Sequence, residues 1–338
     1  MSKRNINIAI IGASGMVGRK ISSLLLKRNF PLKDLYLLGN TTVGDELDVG
    51  GSHIKIQAID EVNFNNIDIA FFSAGSDVAK KHCETIANQE TYVIDLSSFY
   101  RYEDDVPLII PEINGDLLES LDKASIISSP NCSTAQLLMA LKPIHDIDTI
   151  LSINIATYQA VSGTGKAAVE ELHNQTYLKE IETNASVYPK PIAFNVIPHC
   201  DNFLDNDFTK EEMKLVWETK KILDPNIDVT ATCVRVPVFN GHSEAVFIKT
   251  KQYISKDKLL QSFNDFEGIK VFNHHEYPTP LEYTDDTEDV FIGRIRSTQS
   301  IDGTGLIALW IVADNVFGKG AALNAIQIAE KLYALNKV

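Results

Sequence analysis

The 338-residue chain is short of cysteine, of positive charge and of long apolar runs, and each shortage excludes something. Its four cysteines, Cys83, Cys132, Cys200 and Cys233, include no Cys-x-x-Cys pair, which argues against a thiolate zinc site. So few thiols in so long a chain do not make a disulfide framework either. Lysine and arginine number 31 against 45 aspartates and glutamates, a formal net charge of −14. That balance argues against wrapping nucleic acid or lying on an anionic membrane, since both need basic patches. Small anionic ligands remain open, because a few local arginines are enough to bind them. No apolar stretch reaches the ~18 residues that span a bilayer. The sequence also enters a strand pattern at once, without the apolar core of a signal peptide. The expectation is a cytoplasmic protein with reduced thiols, no bound metal, and neither nucleic acid nor membrane as a partner. In such a protein an oddly placed cysteine is a candidate for chemistry.

What is present is an ordinary globular composition, 44% apolar and 22% charged, at a length that suits two domains. Through residue 130 the sequence alternates short apolar runs with amphipathic ones. Strands are predicted over 6–11, 35–38, 67–72, 92–96 and 126–128, with helices over 16–27 and 77–88. Continuous apolar strands separated by helices mean a parallel sheet covered on both faces, a doubly wound α/β domain. After residue 131 the texture changes. Helices are predicted over 133–141, 166–181 and 211–223, around an irregular stretch at 183–206. Longer, partly alternating strands over 150–161, 229–238, 245–250, 290–297 and 306–312 predict a large antiparallel or mixed sheet. An amphipathic helix over 321–335 closes the chain.

Three segments carry chemistry. Gly12-Ala-Ser14-Gly15-Met16-Val17-Gly18 follows the first strand and opens the first helix. Glycines there permit a tight turn and bring the backbone close to a pyrophosphate at the helix N-terminus, which predicts a nicotinamide nucleotide site. The second strand ends Asn40-Thr41-Thr42, with no carboxylate before Asp45. That favours NADP over NAD, although only the hydroxyls of Thr41 and Thr42, and no arginine, are there to meet a 2′-phosphate. The second segment, Ser129-Pro-Asn131-Cys132-Ser-Thr-Ala-Gln136, places Cys132 at the start of a helix. There the macrodipole and the open backbone amides favour thiolate and an oxyanion. The other three cysteines read as buried filler. A nucleophilic thiol beside a dinucleotide domain suggests an aldehyde dehydrogenase working through a thioester. In the third segment, Arg235-Val-Pro-Val-Phe-Asn-Gly-His242-Ser-Glu, a strand bearing Arg235 leads to a turn presenting His242. Histidine titrates near neutrality and suits the base that a thiol needs.

Together with Tyr158-Gln159-Ala-Val-Ser162-Gly163 and Asp314-Asn315, these segments resemble the aspartate-semialdehyde dehydrogenase family, from Ile8 to about Glu330. The resemblance implies a Rossmann-type domain over 1–130, completed by a C-terminal helix over 318–338. It implies an α+β catalytic and dimerisation domain over 131–317. The implied reaction interconverts aspartyl phosphate with aspartate semialdehyde and phosphate, using NADP, in lysine, threonine, methionine and diaminopimelate biosynthesis. It gives Cys132 as nucleophile, His242 as acid and base, and Gln159 as the residue orienting the intermediate. Arg235 then binds the substrate carboxylate and Glu211 its ammonium, with Lys214, Arg101 and Asn131 at the phosphate. Ser162, Gly163 and Asn315 contact the nicotinamide half of the cofactor. On residue types alone, Glu211 and Lys214 also fit a surface ion pair on one helix face. The implied assembly is a homodimer, with a tetramer as the further possibility. Two other readings compete: a reductase for another acyl phosphate or a CoA thioester, and a silent nucleotide-binding paralogue.

Overall fold

A computed structural model describes residues 4–121, 123–178, 187–273 and 275–338. It has two compact units, one reaching Pro130 and including Ala321–Val338, the other Asn131–Gly320.

In the first unit β1 (Ile6–Ile11) leads through the glycine turn into α1 (Met16–Lys27), followed by β2 (Leu32–Gly39). A small hairpin, β3 (Glu46–Val49) and β4 (Ser52–Lys55), comes next, then the two-residue β5 (Gln57–Ala58). The remainder is β6 (Ile69–Phe72), α2 (Ser76–Ala87), β7 (Tyr92–Asp95), the short α3 (Pro111–Asn114) and β8 (Ile126–Ser128). The sheet runs β5-β2-β1-β6-β7-β8, parallel throughout. Every residue of β6 and β7 is buried, which is why these strands show no alternation in sequence. The β3–β4 hairpin was not among the predicted strands. Its turn has Gly50 and Gly51 at φ +62° and +86°, with the Gly51 amide on Asp48 Oδ1 at 2.7 Å. Adjacent glycines favour that primed geometry, so the turn itself was readable.

The second unit begins with α4 (Cys132–Ile147) and continues with β9 (Ile150–Gln159), α5 (Lys166–His173), α6 (Lys210–Ile222) and β10 (Asp228–Arg235). Then come β11 (His242–Thr250), α7 (Lys256–Asp265), β12 (Ile269–Val271) and the short α8 (Pro280–Tyr283). The unit closes with β13 (Val290–Gln299) and β14 (Gly305–Ala313). Its sheet is mixed, in the order β10-β9-β11-β14-β13-β12. The last helix, α9 (Ala322–Ala334), belongs to the first unit, where it packs on α1.

Several boundaries differ from expectation. α4 runs on past Leu141 with Pro143 inside it, because residues on every side of the helix are buried and packing outweighs one missing backbone donor. α5 stops at His173 and loosens into a π-type turn at Asn174–Leu178. The rest of that predicted helix, and the start of the irregular stretch, fall on 179–186, outside the described residues. α7 and β12 were not anticipated. β10 ends at Arg235, and β11 starts already at His242, so His242 is a strand residue and not part of a turn.

Along β11 the residues alternate. His242, Glu244, Val246, Ile248 and Thr250 are buried on the side facing α4, while Phe247 on the other side is half exposed. Leu306 of β14 is likewise exposed on that outer side. The inner side, at the ends of β9 and β10, is where polar residues gather.

Candidate active site

Asn131 caps α4, its Oδ1 accepting from the Ser133 and Thr134 amides at 3.0 and 3.3 Å. Its own amide donates to Glu218 Oε2 at 2.7 Å, and its Nδ2 donates to Glu211 Oε1 at 3.0 Å. Cys132 is thereby fixed as the first helical residue. It is the partly exposed cysteine; the other three are buried. Burial pushes the Cys200 thiol up to about 12 and those of Cys83 and Cys233 higher still, so they stay protonated and unreactive. A Cβ at Gly320 would lie 2.9 Å from Cys132 Cβ and from the Asn315 backbone, so this close approach needs glycine.

The strand ends meet this helix start. Gln159 closes β9 and pairs with Arg235, which closes β10; His242 opens β11 beside them. Gln159 Nε2 donates to Ser133 Oγ at 2.8 Å and to Glu211 Oε1 at 3.0 Å. Arg235 Nη1 donates to the Ala160 carbonyl at 2.6 Å, and its guanidinium lies 5.8 Å from the centre of the Tyr188 ring. The Tyr188 hydroxyl donates to Thr164 Oγ1 at 2.8 Å. The ring of His242 is fully buried. Its Nδ1 accepts from the Ala160 amide at 3.0 Å, which puts the proton of the neutral ring on Nε2. Nε2 has no hydrogen-bond partner among the described residues. The expectation of near-neutral titration is corrected here. Burial, and next the Arg235 guanidinium, push His242 down to about 3, and the opposing pull of Glu211 and the Gly241 carbonyl is too weak to offset them. The free protein holds this imidazole neutral.

Gly163 explains how the cation and the ring fit side by side. A Cβ there would stand 3.0 Å from His242 Nε2 and 3.1 Å from Arg235 Nη1. Its neighbour Ser162 donates to Asn315 Oδ1 at 3.1 Å, an oxygen that also takes the Gly241 amide at 2.9 Å. Asn240 Nδ2 donates to Asp314 Oδ2 at 3.2 Å and extends the network.

Glu211 and Lys214 are not a surface pair. Both are buried on α6, with Lys214 Nζ 2.8 Å from Glu211 Oε2 and 2.8 Å from Asp201 Oδ2. Burial alone would raise the Glu211 carboxyl, but Lys214 and the Gln159 and Asn131 amides override it and hold it well below the ordinary range. The same cluster holds Lys214 charged, above its ordinary value. Asp201, Glu218 and Tyr188 were not singled out from sequence. Asp201 lies 69 residues and Glu218 86 residues beyond Cys132, and no local motif marks any of the three.

The remaining candidates lie in the first unit. α1 has Gly15 as its cap, with no side-chain capping bond and no acid in its first turn, leaving its first amides available to an anion. Gly12 has φ +81°, and a Cβ on Gly18 would come within 2.4 Å of the Gly12 carbonyl, so the turn closes only with glycine. Ser14, Met16 and Val17 are partly exposed on this turn, and Ser14 Oγ lies 3.0 Å from Thr42 Oγ1, with Thr41 exposed beside it. A strand–turn–helix with open amides and a hydroxyl pair at the second strand's end fits a dinucleotide phosphate. Arg101 is buried, with Nη2 on the Leu96 carbonyl at 2.9 Å. Among the described residues no helix is long and apolar enough to cross a membrane, and no cluster of three or more His, Cys, Asp or Glu could hold a metal ion.

A parallel dinucleotide-type sheet followed by a unit built on a mixed sheet is the plan of the semialdehyde dehydrogenases, nicotinamide-dependent oxidoreductases acting on an aldehyde. Residues 7–121 match that family's NAD-binding domain and residues 141–317 its dimerisation domain. An aspartate-semialdehyde dehydrogenase of Shewanella violacea is 44% identical over 334 residues, covering 97% of this chain and 98% of that protein. A crystal structure of aspartate semialdehyde dehydrogenase II from Vibrio cholerae, complexed with ASA, is 42% identical with a TM-score of 0.93. That match covers 98% of this chain and 99% of the other. A more distant relative from Candida albicans, solved with NADP, is 25% identical with a TM-score of 0.77, covering 98% and 99%. The chain belongs to the aspartate-semialdehyde dehydrogenase family.

Proposed function

We propose that the protein is an NADP-dependent aspartate-semialdehyde dehydrogenase that reduces L-4-aspartyl phosphate to L-aspartate 4-semialdehyde for lysine, threonine, methionine and diaminopimelate synthesis. The observation that carries this reading is Cys132 at the first position of α4, with Gln159, Arg235 and His242 at the adjoining strand ends. Cys132 Sγ attacks the acyl carbon; a C–S bond forms, the C–O bond breaks, and phosphate leaves with the electron pair. When bound, the nicotinamide cofactor supplies a hydride to the thioester carbon. His242 serves as the acid by donating a hydrogen bond from Nε2 to the oxygen that gains charge, and the electron pair returns to Cys132 Sγ as the C–S bond breaks and the semialdehyde departs. Gln159 orients the thioester, and the positive end of the α4 macrodipole favours its oxyanion.

Arg235 offers a planar fork to the substrate carboxylate, and Glu211 a charged carboxylate to its ammonium. Lys214, Arg101 and Asn131 take the phosphate. Gly12, Ser14, Gly15, Met16 and Val17 would hold the pyrophosphate of the cofactor, Thr41 and Thr42 its 2′-phosphate, and Ser162, Gly163 and Asn315 its nicotinamide half. The NADP bound by the Candida albicans relative supports this choice. Two neutral hydroxyls would discriminate against NAD less strongly than an arginine would. The exposed Phe247 and Leu306 on the outer side of the mixed sheet support a homodimer through that face. A cytoplasmic location accords with the biosynthetic role.

The test is NADP reduction by aspartate semialdehyde with and without phosphate, and with NAD in place of NADP. Turnover should require phosphate and favour NADP. Cys132→Ser should lose nearly all turnover and still bind NADP. Full turnover without phosphate, or an active serine variant, would refute the thioester reading.

A further inference from the structure

Glu244 follows His242 by two residues on β11, so both side chains point to the same buried side of the sheet. It is 0% exposed, no cation lies against it, and the Gln136 amide is the one donor group near its carboxyl among the described residues. The side chain facing it is Gln136, on the first turns of α4. Gln136 is equally buried, and its Nε2 donates across to the His242 carbonyl at 3.4 Å. Its Oε1 lacks a donor. A buried carboxyl with no counter-charge and an amide oxygen with no donor thus lie on neighbouring side chains. An ionised carboxylate there would be buried without a counter-charge, whereas a protonated one supplies the donor that Gln136 Oε1 lacks.

We propose that Glu244 is a positioning residue that acts as a neutral carboxylic acid: its O–H donates to Gln136 Oε1, orienting the Gln136 amide that tethers the backbone of His242. This rests on His242 being the acid–base group of the reaction. The surroundings agree. Glu244 is flanked in register by Thr157 on β9 and Ile311 on β14, and with Gln136 these supply no charge; His242 is the titratable neighbour. Burial without a counter-charge drives the Glu244 carboxyl well above its ordinary range. A neutral acid also leaves the low proton affinity of His242 intact, where an ionised one would raise it. The chain Glu244–Gln136–His242 therefore ties the helix that bears the nucleophile to the strand that bears the histidine.

Infrared difference spectroscopy on the full-length protein reads the proton directly. At neutral pH the wild type should show a protonated-carboxyl stretch that is missing from Glu244→Gln. Glutamine still donates to Gln136, so Glu244→Gln should keep most of kcat with the pH–rate profile unmoved. Glu244→Leu fills the space without a donor and should lower kcat about tenfold at little changed KM. Three results would each overturn the inference: no such band, an acid limb moved to lower pH in Glu244→Gln, or a leucine variant with wild-type kcat. If Glu244→Leu does not fold, the band and the glutamine profile still decide. The band needs no substrate, so it stands apart from whether the wild type oxidises the semialdehyde at all.

Discussion

Two glutamates lie buried in the second unit and are held in opposite states. Glu211, on α6, receives Lys214 Nζ, Asn131 Nδ2 and Gln159 Nε2, and stays ionised. Glu244, on β11, has only the Gln136 amide near it and no cation among the described residues, and burial raises its carboxyl well above the ordinary range. Depth is nearly the same, 7% and 0% exposed, so depth does not set the charge. The number of donors and the presence of a cation do. One consequence is a division of labour: the α6 side offers fixed charges suited to a zwitterionic substrate, while the His242 side is kept uncharged and suited to moving a proton.

The largest effect should come from removing the cation on which the charged side depends. Lys214→Met leaves Glu211 and Asp201 without their shared partner and should cost about 3–5 kcal/mol of unfolding free energy. Urea denaturation at neutral pH measures it. Adding Glu211→Gln should recover part of the loss, because the uncompensated buried charge is then gone. A single variant as stable as wild type would mean that Glu211 does not depend on Lys214 for its charge.

Next in size is a change at the point where the two regions touch. Gly163→Ala puts a methyl about 3 Å from both His242 Nε2 and Arg235 Nη1. Both groups must shift, so kcat/KM for the semialdehyde should fall about tenfold to a hundredfold with little change in stability. Steady-state kinetics beside a melting curve separates the two; unchanged kinetics would show that the ring and guanidinium are less tightly set than their distances imply.

The comparison also has opposite signs in pH. An unfolded carboxyl titrates near its ordinary 4.5. Glu211 binds its proton less readily when folded, so its contribution grows as pH rises through that range and is lost on acidification. Glu244 binds its proton more readily when folded. Above about 4.5 its unfolding releases a proton, and stability falls by about 1.4 kcal/mol per pH unit until the folded carboxyl itself ionises. Glu244→Gln removes that slope and should be more stable than wild type at pH 7. A variant less stable than wild type at every pH would contradict the sign.

Much of this was legible in sequence because the signals are local. Ile6–Ile11 and Met16–Lys27 appear with the predicted bounds, since a fully apolar strand and a 3.6-residue periodicity need no distant partner to be recognised. The two-sheet plan followed from the change of strand texture near residue 131. Less legible was anything decided by neighbours remote in the chain. His242 looked like an ordinary near-neutral histidine, and only the surrounding burial and Arg235 show otherwise. Glu211 and Lys214 fitted a solvated pair equally well until Asp201, Asn131 and Gln159 were seen around them. Glu244 stood in plain view two residues after His242, yet its burial without a counter-charge is a property of the fold.

The smallest predicted effect tests how much of the Arg235 setting is hydrogen bonding and how much is stacking. The Tyr188 ring lies 5.8 Å from the guanidinium, and its hydroxyl is anchored on Thr164 Oγ1 at 2.8 Å. Tyr188→Phe keeps the ring over the cation and deletes the anchor. A lone neutral hydrogen bond contributes about 1 kcal/mol, so the variant should lose about that much stability. The KM for semialdehyde should rise only about twofold to threefold, with kcat retained, because Arg235 still has its Ala160 contact at 2.6 Å. Tyr188→Leu removes ring and anchor together and should raise KM further, by the part that stacking supplies. Equal KM values for the two variants would assign the whole effect to the hydroxyl. A fall in kcat with KM unchanged would instead mean that Tyr188 acts on the His242 side, and the division between charged and uncharged halves would have to be redrawn.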